Sequence, residues 1–150
     1  MNVKEYLNLI KAFFKTHAQI NTVKSGNQFY FNAMSKIVYP ISHIEYLGQL
    51  TSPGKIVFNF LVTLADIQDP NQEDSEEDIY SDTAEIANDA IAYFGNQIGV
   101  DYTLLESANI EKFNNGLKDR VCGSTFILAF QEDRLAQDCA IPVKPTNEPV

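Results

Sequence analysis

The sequence predicts an α+β fold: a mostly antiparallel sheet with a long β-hairpin and two amphipathic helices packed on it. Three observations carry this. Lys55 to Asp66, KIVFNFLVTLAD, sets Ile56, Phe58, Phe60, Val62 and Leu64 against Val57, Asn59, Leu61, Thr63 and Ala65, a period of two in a strand apolar enough to be central. Thr51-Ser52-Pro53-Gly54 is a Pro-Gly turn joining that strand to a second extended run from Ile41 to about Leu50. Two other stretches repeat apolar residues at helical spacing.

The first of these runs from residue 3 to about 18, with Val3, Tyr6, Leu7, Ile10, Phe13 and Phe14 on one stripe and Asn2 and Glu5 placed to form a capping box. A helix laid on a sheet explains that stripe better than a partner-binding face does. Ser25-Gly26-Asn27 reads as a turn and Gln28-Phe29-Tyr30-Phe31 as a short strand. Pro40 holds Tyr39 extended. In the first hairpin arm His43, Glu45 and Gln49 alternate with Ile44, Tyr46 and Leu50, as in a strand with one wet face, and arms of this length lead us to expect part of the hairpin to project.

Residues 69 to 78, DPNQEDSEED, carry no apolar side chain and read as a solvated connection. Asp69, Asn71 and Glu73 alternate as calcium ligands do, but the glycine required at the sharp turn of a helix-loop-helix calcium site is missing. The second helix is expected from Asp82, with Glu85 reaching back from N3, and with Ala84, Ala87, Ala90, Ile91, Phe94 and Ile98 on its buried stripe. Gly95 and Gly99 are its candidate terminators. An alternating run from Val100 to about Ile110, a turn at Asn114-Asn115-Gly116 and a second strong strand from Val121 to Gln131 follow. In that last strand Cys122, Phe126, Leu128 and Phe130 are assigned to one face, and Gly123, Thr125, Ile127 and Ala129 to the other. Pro142, Pro145 and Pro149 mark an irregular C-terminal arm.

At 150 residues the chain has the size of one domain, assigned to residues 1–142 with the Pro-rich arm at 143–150. Twenty acidic against eleven basic residues give a net charge of −9, which disfavours an extended grip on nucleic-acid phosphates. Cys122 and Cys139 are read as reduced, mostly buried thiols. Lys4, Glu5 and Lys11 interrupt the apolar pattern of the N-terminus, which therefore resembles neither a signal peptide nor a membrane span, and synthesis inside the cell is expected.

His17 and His43 have no motif partners and read as structural or surface histidines. The sequence holds no G-x-S-x-G, Walker loop, H-E-x-x-H or C-x-x-C, so no catalytic residue, cofactor or metal is expected. Asp66, Asp69 and the later carboxylates leave unrecognised carboxylate chemistry as a remote enzyme reading. A small adaptor binding a partner protein through the sheet edge or the first helix is the alternative function.

The order of elements, with FLVTLADIQDP at residues 60–70, SDTAEIANDAIAYF at 81–94, Arg120-Val121-Cys122-Gly123 and Asp138-Cys139-Ala140-Ile141-Pro142, resembles the tail-terminator and neck-ring (head-to-tail joining) proteins of tailed bacteriophages, the crAss-like group included. The resemblance spans residues 1–142, with Ser124 standing where such proteins often place an aromatic. It implies a virion protein, assembled in the host cytoplasm, that forms a ring of six or twelve copies between portal and tail. DNA would pass through such a ring without sequence-specific binding, and no membrane would be involved. It also implies contacts to copies or adjoining rings through the hairpin tip, Thr51, Ser52, Pro53, Gly54 and Lys55, and an acidic segment, Glu73, Asp74, Glu76 and Glu77, that faces solvent or the lumen.

Overall fold

Asn2 starts the first helix as its sequence suggests. In a computed structural model, which describes residues 1–27, 37–105, 109–114 and 121–133, the Asn2 side chain accepts the Glu5 amide at 2.8 Å. The Glu5 carboxylate in turn accepts the Asn2 amide at 2.9 Å. This reciprocal cap satisfies two of the amides that a helix start leaves open. Helix α1, Val3–Thr16, then buries Tyr6, Ile10 and Phe14 against the sheet.

The strands are β1 (Thr22–Ser25), β2 (Ile41–Ser52), β3 (Lys55–Ile67), β4 (Thr103–Leu104), β5 (Glu111–Asn114) and β6 (Val121–Asp133), with helix α2 (Ser75–Gly95) after β3. The six-stranded sheet runs β1-β2-β3-β6-β4, and β5 also pairs with β6. Only β1 and β2 are parallel; the other pairs are antiparallel. The architecture is the α+β, mostly antiparallel arrangement expected, with β3 central.

Register assigns the faces, because residues directly opposite in a ladder point the same way. Phe58, Phe60, Val62 and Leu64 of β3 share one face with Phe126, Leu128 and Phe130 of β6 and with Ile44 of β2. This face meets Tyr6, Ile10 and Phe14 of α1 and Ile86, Ala87, Ala90 and Phe94 of α2 in the main core. Tyr6 sits at its centre, with ring centroids 4.9 Å from both Phe58 and Phe130. Phe94 meets Phe130 edge to face at 5.5 Å and 90°. Tilted and edge-to-face pairs of this kind add about 0.5–1.5 kcal/mol each beyond the area they bury. On the opposite face, Ile41, Ala65 and Val121 form a smaller buried group against Ile37, Tyr39 and Phe113.

Several expectations need correction. Helix α2 begins at Ser75, not Asp82, so Glu76, Glu77 and Asp78 occupy its first turn rather than a loop. Carboxylates there face the positive end of the helix dipole, which is why an acidic run can be helical. The helix ends at Gly95, and Ile98, expected on its buried stripe, is 96% exposed. Among its described residues the run from Val100 forms the short strand β4, and Asn114, expected in a turn, ends β5 instead.

His43 is buried rather than wet, because the start of β2 is covered on both faces. Beyond it, a bulge between Tyr46 and Gly48 shifts the register, so Leu50 pairs with Val57 on the helix-free face. The hairpin does not stand away from the body either. Strand β6 flanks β3 from Ile67↔Val121 to Lys55↔Asp133, which carries the sheet out to the tip. Strand β1, at Thr22–Ser25, had no alternating signal to announce it. The expected strand at Gln28–Phe31, the turn residues Asn115 and Gly116, Cys139, the boundary at residue 142 and the arm 143–150 lie outside the described residues.

Candidate functional site

The two groups of residues singled out in the sequence sit at opposite ends of the molecule. The turn after Ser52 places Gly54 at φ 85°, a left-handed conformation that glycine adopts without strain. Thr51, Ser52, Pro53, Gly54 and Lys55 are all exposed. Lys55 faces Asp133 across the ladder, and among the described residues it makes no ion pair. Beside this end lies a recess of about 500 Å³ lined by Met1, Val100, Asp101, Tyr102, Thr103, Gln131, Glu132 and Asp133. Within it Glu132 Oε1 is already engaged, accepting the Tyr6 hydroxyl at 2.7 Å and the Met1 amino group at 2.8 Å. Burial, and then this bond to Glu132, push the Tyr6 phenol well above its ordinary range. The recess is therefore held together by internal bonds.

Glu73, Asp74, Glu76 and Glu77 cluster at the far end, where β3 gives way to α2. Strand β3 covers roughly 40 Å at about 3.3 Å per residue, so the structure does not bring the tip and the acidic segment together. Glu73, Asp74 and Glu77 point into solvent. Glu76 instead serves the fold: it accepts the Tyr80 hydroxyl at 2.7 Å and the Asn114 amide at 3.3 Å. Burial and the Glu76 bond push the Tyr80 phenol up to about 12.

Near this acidic end is a cleft that the sequence did not reveal. About 330 Å³ in volume, it is walled by Ala18, Gln19, Asn21 and Pro40 on one side and by Asp66, Ile79, Asp82, Thr83 and Ile86 on the other. Asp66 is the last inward-facing residue of β3, and Asp82, about two turns into α2, lies close enough to repel it. Burial raises the Asp66 carboxyl above its usual range, a bond from the Ile67 amide at 2.8 Å works the other way, and the Asp82 carboxylate adds the smallest push upward. The floor is fixed by Thr83, whose hydroxyl meets Ser124 Oγ at 2.8 Å and donates to the Ile79 carbonyl at 2.7 Å. Among the described residues no cationic side chain lines the cleft. The only clue in the sequence was an aspartate ending an apolar alternation.

The histidines do not take part. His17 Nε2 lies 3.0 Å from Asp89 Oδ2 and ties the end of α1 to α2. His43 is buried, which lowers its pKa. Cys122 is buried and free of a disulfide, and burial raises its thiol. Among the described residues no three His, Cys, Asp or Glu side chains converge as a metal-holding group, and no helix is long and apolar enough to cross a membrane. No family model matches the chain, and no curated protein matches it.

Proposed function

We propose that this protein is a ring-forming structural subunit of the neck or tail of a tailed bacteriophage, a tail terminator or head-to-tail joining protein through whose ring DNA passes. The observation that supports this best is the character of the helix-free sheet face toward the hairpin tip. There Leu50 is 68% exposed and Ile127 45% exposed, with half-buried Val57, Leu61 and Ala129 on the same face. Contiguous apolar surface of this kind marks a place for another protein. The bulge at Gly48 and the exposed tip give the same end of the sheet a shape that copies or neighbouring rings can grip. A net charge of −9 suits a conduit, because acidic walls do not retain phosphates.

An electron-microscopic reconstruction of the virion is the test. A ring of six or twelve copies of this chain between portal and tail is the expected result. A neck and tail fully accounted for by other chains, with this protein monomeric in solution, would overturn the reading in favour of a small protein-binding adaptor.

A further inference from the structure

In the single chain the helix-free face of the sheet stays open toward the hairpin tip. Leu50 is 68% exposed and Ile127 45%, beside half-buried Val57, Leu61 and Ala129, whereas His43 and Thr63 further along the same face are buried. We infer that this open stretch receives the C-terminal segment of a second copy, through the run Cys139-Ala140-Ile141-Pro142-Val143. The inference rests on the self-assembly proposed above and names what covers that face.

Chain direction selects another copy as the source. Strand β6 ends at Asp133, opposite Lys55 at the tip, so the chain leaves heading away from the body. Residues 134–137, Arg-Leu-Ala-Gln, include no glycine, proline, asparagine or aspartate to turn it back. An extended continuation carries Cys139 about 20 Å past the tip, beyond reach of the chain's own face and free to meet a neighbour's. Length agrees as well, since Val57 to Leu61 and an extended Cys139 to Val143 both cover about 13 Å.

The chemistry of the run also fits. Ala140, Ile141 and Val143 supply apolar surface for Leu50, Val57, Leu61 and Ile127, and Pro142 has no amide to donate, so the run lies across a sheet face rather than joining it as a strand. Pro142 also holds Ile141 extended beforehand, which lowers the entropy cost of docking. Charge sets the direction. Glu45 stands opposite Leu61 on the same face and makes no ion pair among the described residues, while Lys144 directly follows the run. With Val143 over Leu61, Lys144 meets Glu45 and Cys139 falls beside Leu50 and Val57.

The thiol of Cys139 supplies the experiment. Leu50→Cys, at a site exposed enough to leave the core untouched, is oxidised in the full chain and run on a non-reducing gel; Cys122 is buried and does not compete. A ladder of disulfide-linked multimers is expected, because each copy offers one segment and one face, and it should vanish when Cys139→Ser is added. Ile141→Asp is expected to weaken self-association about tenfold or more in sedimentation equilibrium. A product that stops at a covalent dimer upholds the contact and overturns the ring. A bond closed within one chain, or no bond together with Ile141→Asp assembling as wild type does, overturns the contact and leaves the ring reading standing. A wild-type chain that remains monomeric at every concentration overturns both.

Discussion

A Cβ built on Gly123 would overlap the carbonyl oxygen of Leu64 and lie 2.8 Å from its carbonyl carbon and 2.9 Å from Ala65 Cα. Every one of those atoms is backbone of the central strand, which β2 holds on its other side and which cannot yield without breaking the ladder. Gly123→Ala is therefore expected to cost on the order of 3 kcal/mol or more. Gly54→Ala meets nothing within 4 Å and suffers only from its left-handed φ of 85°, for about 1 kcal/mol. Urea denaturation of the two variants checks this, and equal midpoints would show that the close approach of β3 and β6 does not exist in solution. The sequence placed Gly123 at the head of a strand, but its reason for being glycine lies on residues more than fifty positions away. His43 fails in the same manner: local alternation put it on a wet face, whereas the cover over that end of the sheet comes from elsewhere in the chain.

Among the elements, the two helix starts illustrate what a local motif can and cannot reveal. The Asn2–Glu5 box is self-contained within one turn, so reading it needed no tertiary information. Asp82 and Glu85 imitate such a box inside α2, while the true start at Asp74 has no side-chain cap. That start is instead tied to the preceding loop by Ser75, whose hydroxyl accepts the Asp69 amide at 2.8 Å. Asn2→Ala is thus expected to destabilise by about 1 kcal/mol. Asp74→Ala is expected to change stability by less than about 0.5 kcal/mol, the scale of a weak dipole contact. Thermal and urea melts distinguish these outcomes, and a large loss at Asp74 would mean that its side chain caps α2 after all. Strand β1 was illegible for a related reason: it is too short to show a period and forms because a long neighbour offers it an edge, whereas β4 lies inside the alternating run read from Val100.

For the molecule as a whole, the pH dependence of stability is expected to carry a penalty at Asp66. Its carboxyl is raised in the folded chain, so folding favours the protonated form and penalises the charged one. The sign follows from linkage. Below the ordinary value of 3.8 the group is protonated whether folded or unfolded and no penalty exists; the penalty grows as pH rises through the raised folded value and is complete at neutrality. Asp66→Asn keeps an oxygen to accept the Ile67 amide and removes the charge facing Asp82. The variant is expected to be more stable than wild type at pH 7, with the difference shrinking toward pH 3, as read from urea midpoints across that range. An Asp66→Asn chain that is less stable at pH 7 would mean that the charge is already compensated within the subunit, by more than the Ile67 amide supplies.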